Sequence, residues 1–263
     1  MNTNRLLYRY FRKSIYRVAE NGLVYRVARR LAYDHEGQNN CDINTNGEAD
    51  FLREHAKNCE VIFDAGANIG EWTRAVLVLS PGARAHCFEP NKETFKILLA
   101  NNFPERVICN NAGLGSERGE KRFYVFGGDS TVNSIYPRAG MTPLREDIVR
   151  IDTIDNYCSD KRISKIDFLK IDVEGGELEV LKGASEMIKN GMIDIIQFEY
   201  GGTYIDAKIF LKDIFEYFSD SGYHIYKIHP GRVELIARYD SSLDDFQYAN
   251  YAAIGKDYAE RYL

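Results

Sequence analysis

Short apolar runs in this sequence end in acids. Asp64 closes Val61-Ile62-Phe63, Glu89 follows Phe88, Asp172 follows Ile171, and Glu199 follows Phe198. Asn111-Ala112 and His229 stand at two further run ends. In an open parallel α/β sheet, ligands bind beyond the carboxyl ends of the strands, so these residues are candidates for one site. Asp172 and Glu174 are two apart, and alternate residues of an extended segment face one side. Two carboxylates held together push one pKa up, which suits a general base near neutrality. The alternative is a helix-capping acid, with Glu174 the better fit, beside a solvated one. Glu199, between Phe198 and Tyr200, is assigned to substrate or metal contact. If magnesium is used, Asp172 with Glu199 would supply hard oxygen ligands. His229 is the one histidine at an expected sheet exit, and its alternative is a turn residue before Pro230.

The first acid leads a glycine turn, Asp64-Ala65-Gly66-Ala67-Asn68-Ile69-Gly70, which reads as strand, tight turn and helix. Such a turn lets backbone approach a ligand and offers it a helix N-terminus. Dinucleotide sites prefer G-x-G-x-x-G. Here Asn68 stands where the second glycine belongs, and Asp64 would repel a diphosphate. The acid instead suits the cationic amino-acid end of S-adenosylmethionine, while Glu89, followed by Pro90, is placed to take ribose hydroxyls. Thr73, opening the helix, is a candidate donor to the cofactor's carboxylate, and Ala112 with Gly113 is expected to admit the flat adenine ring.

The elements that must position these groups alternate. Strands are predicted over 61–64, 83–88, 106–109, 166–172, 193–198 and 223–228, and helices over 71–80, 91–101, 176–189 and 206–221. Alternation of this length indicates a parallel sheet with right-handed crossovers. Segments 233–237 and 248–254 finish as strands, the last antiparallel. Residues 113–152 break the rhythm, with short strands at 123–126 and 148–151 around a polar stretch, Gly127 to Ser134. A long insertion in a compact domain is usually functional, and this one reads as a recognition loop or lid.

Residues 1–33 differ from the rest. Arg5, Arg9, Arg12, Lys13, Arg17, Arg26, Arg29 and Arg30 face one acid, Glu20. Leu6, Leu7, Tyr10, Phe11, Ile15 and Val18 recur at helical spacing, as do Leu23, Val24, Val27 and Leu31, with Asn21-Gly22 a break between two helices. A basic amphipathic helix can lie on an anionic membrane. The alternative is an arm packed on the main domain or on a partner subunit of a homo-oligomer. The reading is an arm and linker, 1–45, followed by a domain over 46–263.

Bulk properties bound the rest. Apolar residues make up 44% of the 263 and charged residues 28%, as in an ordinary globular chain. A net charge of −5 argues against nucleic acid as a general partner. The five cysteines form no C-x-x-C pair, which suggests a reducing compartment without structural zinc. No apolar run approaches the roughly 20 residues that span a bilayer. The expected location is cytoplasmic, with peripheral contact at the inner membrane face if the arm binds lipid.

Several motifs carry a resemblance. Phe63-Asp64-Ala65-Gly66-Ala67-Asn68-Ile69-Gly70, Cys87-Phe88-Glu89-Pro90-Asn91, Arg150-Ile151-Asp152-Thr153-Ile154-Asp155, Lys170-Ile171-Asp172-Val173-Glu174-Gly175-Gly176-Glu177 and Gln197-Phe198-Glu199-Tyr200 together resemble the FkbM family of S-adenosylmethionine-dependent methyltransferases. The resemblance covers roughly residues 46–255 and leaves out the arm. It implies a class I methyltransferase fold, a Rossmann-like, seven-stranded, mostly parallel sheet of order 3-2-1-4-5-7-6. It also implies methyl transfer to oxygen, often of a sugar in a glycan, glycolipid or glycosylated natural product, with macrolides another group. Asp64 and the loop through Gly70 would hold the methionine part and the ribose. Carboxyl or phenolic acceptors, or a non-catalytic cofactor-binding scaffold, are the competing readings.

Overall fold

The computed structural model describes residues 21–127 and 132–262. The first helix read in the arm, and residues 128–131 of the insertion, lie outside them. Helix α1 (Gly22–Glu36) is capped by Asn21, whose side chain accepts from Leu23 N, and closes at Gly37 in the left-handed region. Helix α2 (Glu48–His55) leads into strand β1 (Val61–Ala65). Then follow α3 (Glu71–Leu79), β2 (Arg84–Phe88), α4 (Lys92–Ala100), β3 (Val107–Asn110) and β4 (Gly113–Leu114). Strands β5 (Gly119–Val125) and β6 (Arg145–Asp152) enclose the insertion. After α5 (Ile154–Lys161) come β7 (Ile166–Ile171), α6 (Glu177–Lys182), α7 (Ser185–Lys189) and β8 (Ile193–Tyr200). The chain ends with α8 (Thr203–Ala207), α9 (Leu211–Phe218), β9 (Tyr223–His229), β10 (Arg232–Leu235), β11 (Ala249–Gly255) and α10 (Lys256–Tyr262).

The main sheet has eight strands in the order β10-β9-β11-β8-β7-β1-β2-β3. Its seven expected strands keep the expected order, and β10 adds an eighth at the edge by pairing antiparallel with β9. Strands β3, β2, β1, β7 and β8 run parallel, while β11 is antiparallel to both β8 and β9. The insertion does not form a free loop throughout: β4, β6 and β5 make a second, three-stranded sheet.

Strands covered on both faces read as continuous apolar runs, and β1 is buried along its whole length. The period-2 geometry sorts neighbours into two cores. Phe63, Leu169 and Ile196 belong to one cluster, and Ile62, Phe168 and Ile195 to the other, across the sheet. Two predicted helices divide. The one over 176–189 breaks at Gly183, where a side chain would drive into Gly115 O, 2.0 Å from an ideal Cβ. The one over 206–221 becomes α8 and α9, separated at Lys208 in the left-handed region.

Candidate active site

The exit of β1 is built from backbone constraints. Gly66 has φ +84, and a Cβ there would stand 1.7 Å from Asp172 O, so only glycine lets the turn close against β7. The N–H groups of Gly66 and Ala67 both donate to Phe88 O at 3.0 Å, which ties this turn to the end of β2. Asp64, 1% exposed, accepts from Thr73 Oγ1 at 2.5 Å. Burial pushes its pKa up to about 6, against the opposing charge of Lys170 and the Thr73 hydrogen bond. Glu89 is fixed by Asn68 N on Oε2 (3.1 Å) and Asn91 N on Oε1 (2.8 Å). Each oxygen keeps acceptor capacity, the donor-free pair that two vicinal hydroxyls need. Burial raises Glu89 to about 7, partly offset by those two N–H donors.

Facing this turn is a cluster of acids from two strand ends. Carboxylate oxygens of Asp172, Glu174 and Glu199 lie within 4.8 Å of one another. Glu174 reaches its place through a left-handed backbone, φ 58, followed by Gly175 at φ 102. Glu177 braces that turn from below, accepting from Val173 N (3.1 Å) and Gly175 N (3.3 Å). Burial, then the charge of Asp172, raises Glu174 to about 8 despite Arg138. Burial and the neighbouring Asp172 and Glu174 raise Glu199 well above the ordinary carboxylate range. Three crowded acids are also the hard oxygen set that a divalent cation takes.

Lys170 supplies the countercharge. Its Nζ stands 3.2 Å from Asp172 Oδ2 and 3.3 Å from Glu48 Oε1. Burial alone would depress its pKa; the carboxylates of Glu48, Asp172 and Asp64 outweigh that and hold it raised. Glu48 in turn accepts from Gln197 Nε2 at 2.7 Å. The insertion closes the opposite side. Arg138 pairs with Glu174 at 2.7 Å and approaches Asp206 at 3.8 Å, and Ser134 Oγ donates to Glu174 O at 2.7 Å.

These groups line one cleft of about 640 Å³, a size suited to a small ligand. Of the predicted residues, Asp64, Gly66, Ala67, Asn68, Glu89, Pro90, Asp172, Glu174 and Glu199 face it. Ala65, Gly70 and Thr73 lie behind the turn and support it rather than line it. Thr73 is therefore corrected: its hydroxyl is spent on Asp64. Asn111 and Ala112 are also displaced from the wall. The Asn111 amide donates to Glu89 O and Pro90 O, and Gly113 and Leu114, where β4 begins, take the lining positions.

His229 is outside the cleft. It is 1% exposed, with Nε2 3.1 Å from Glu234 Oε2 and Nδ1 3.7 Å from Glu36 Oε2. Strand β11 lies between β9 and β8, and Gly47 packs on the His229 carbonyl, so the histidine faces the α1–α2 connection. Sequence reasoning passed over Glu48, Lys170, Arg138, Trp72 and Tyr248, all in the cleft wall. Lys170 was legible, two residues before Asp172 on the same strand face. Glu48 and Tyr248 come from distant segments and carry no local signal. Cys41 and Ile43, read as linker, also line the cleft.

Comparison with known proteins gives a consistent picture. Residues 64–225 match the family described as the methyltransferase FkbM domain. The hexuronic acid methyltransferase AglP of Haloferax volcanii is 33% identical over 59% of this chain and 64% of its own length. The 2-O-methyltransferase NoeI of Sinorhizobium fredii is 26% identical, over 49% of this chain and 58% of its own. The 31-O-demethyl-FK506 methyltransferase FkbM of Streptomyces tacrolimicus is 27% identical, over 48% and 60%. In each case the match spans less than two thirds of the relative.

Proposed function

The chain belongs to the FkbM methyltransferase family, and from that premise we propose an S-adenosylmethionine-dependent O-methyltransferase acting on a saccharide hydroxyl. One observation carries the reading: the Asp64–Glu89 cradle and the Asp172–Glu174–Glu199 cluster open on the same cleft. The donor set fits this cofactor. Asp64 is a buried acceptor for a cationic amino-acid end, and Glu89 offers two oxygens to ribose hydroxyls. S-adenosylmethionine, when bound, supplies a methyl group on an electrophilic sulfonium. The chain's own task is then to hold a hydroxyl in line and take its proton. Glu174, raised to about 8, has the basicity to receive that proton at neutral to mildly alkaline pH, and Glu199 stands beside it in the same cluster.

The acid cluster gives one part of the cleft polar walls, which suits a polyol, while Trp72, Phe123, Ile135 and Met141 line an apolar part of the same cleft. One relative is named for a hexuronic acid and another for 2-O-methylation, which supports a saccharide acceptor and transfer to oxygen. The reading is tested by calorimetric titration with S-adenosylmethionine and with its demethylated product. Both should bind the parent chain, and Asp64→Ala should abolish binding while remaining folded. Failure of the parent to bind either one contradicts the proposal.

A further inference from the structure

We infer that helix α1 is an anchor that lies on an anionic lipid surface beside the cleft. The helix runs over 15 residues and buries none of them. Isolated helices of that length are marginal in water, and helices in proteins draw most of their stability from a packed face. Helix α1 has no such face within the described residues, yet it carries large apolar side chains. Leu23 is 66% exposed, Val27 51% and Leu31 63%.

Its two sides differ. At about 100° per residue, Leu23, Val27, Leu31 and Val24 fall within an arc of about 100°, and Arg29, Arg26 and Arg30 fill another of similar width. Between Asn21 and Tyr33 there is no acid. The preceding sequence continues the same composition, with Arg5, Arg9, Arg12, Lys13 and Arg17 against Glu20. Yet the whole chain carries a net charge of −5, so the remainder is distinctly acidic.

That segregation selects the occupant. An apolar stripe flanked by arginines is complementary to acyl chains below anionic headgroups. The acidic body is repelled by the same surface, which orients the molecule arm-first. A symmetric pairing of two α1 helices would bring their arginine rows together, with Asp34 already paired to Arg30 at 2.9 Å and Glu36 to Lys227 at 3.0 Å.

The base of the helix is fixed to the fold. Tyr33 Oη donates to Gln247 Oε1 at 3.0 Å, Lys227 Nζ to Glu36 Oε2 at 3.0 Å, and Asn39 N to Tyr248 O at 2.9 Å. Tyr248, Cys41 and Ile43 line the cleft. An anchored α1 therefore holds the cleft rim near the lipid surface. This inference is independent of the chemistry in the cleft.

The test is sedimentation of the full chain with vesicles of phosphatidylcholine alone and of phosphatidylcholine mixed with phosphatidylglycerol. Binding should be at least about tenfold tighter to the mixed vesicles and weaken as salt is raised. Leu23→Asp/Val27→Asp/Leu31→Asp, at exposed positions, should lose binding by a similar factor with an unchanged thermal melt. Equal binding to both vesicle types overturns the inference. So does an absence of binding to the mixed vesicles; a dimer seen by light scattering that the same triple variant dissociates would then assign the apolar stripe to a second copy.

Discussion

Glu48 Oε1 lies 3.3 Å from Lys170 Nζ, which joins the helix before the first strand to the floor of the cleft. Glu48 is 3% exposed, so this is a buried pair whose members depend on each other. Glu48→Gln keeps the size and removes the charge. Lys170 retains Asp172, so the expected loss of stability is about 1–3 kcal/mol. Denaturant unfolding measures it, and a variant as stable as the parent would show that Glu48 is not holding the lysine.

The glycine turn makes a second prediction. In Gly66→Ala the new methyl would stand 1.7 Å from Asp172 O, and φ +84 is itself unfavourable for alanine. Backbone at the β1 and β7 exits must then separate. Both a fall in thermal midpoint and loss of cofactor binding are expected. Gly82→Ala, with open space around the same position, is the matched control and should change neither. Equal behaviour of the two variants would remove the turn from the account.

The acids should show in a pH profile. Asp64 and Glu89 are raised to about 6 and about 7, so each is protonated below its own value and ionised above it. A cationic group at Asp64 and hydroxyl donors at Glu89 both need the ionised form. Affinity for S-adenosylmethionine is therefore complete above about pH 8 and falls by up to about tenfold per pH unit per group below the two values. Titration calorimetry at several pH values checks this, and Glu89→Gln should flatten the upper part of the curve. A pH-independent affinity in the parent would contradict it.

Glu174→Gln and Glu199→Gln should bind cofactor within a few-fold of the parent. Turnover should fall by about 10²–10⁴-fold, the usual contribution of a positioned acid or base. Repeating the assay with chelator and with added magnesium separates two roles for the cluster. Loss of parent activity in chelator, restored by magnesium, assigns the acids to a cation. Insensitivity leaves them as proton acceptors.

Much of this was readable in the residues. Asp64, Glu89, Asp172 and Glu199 are local signals, each closing an apolar strand, and the parallel registers of β1 with β2 and β7 bring such ends together. Where strand-end logic failed, the reason was topology or hydrogen bonding. His229 also ends a strand, but β11 intervenes between β9 and β8 and carries it away. Asn111 is polar and at a run end, yet its amide is consumed by Glu89 O and Pro90 O. Arg138 and Glu48 were silent because their pairings span 36 and 122 positions, beyond any periodic pattern. The three-stranded sheet was half visible: β5 and β6 had strand composition, while two-residue β4 is too short to register.

The most direct measurement is transfer of labelled methyl from S-adenosylmethionine to a panel of free sugars, nucleotide sugars and glycans. The account predicts label on a saccharide as an alkali-stable ether with the parent chain, and little with Glu199→Gln despite its bound cofactor. Label appearing on a carboxyl group as an alkali-labile ester, or equal transfer by the parent and Glu199→Gln, would contradict it.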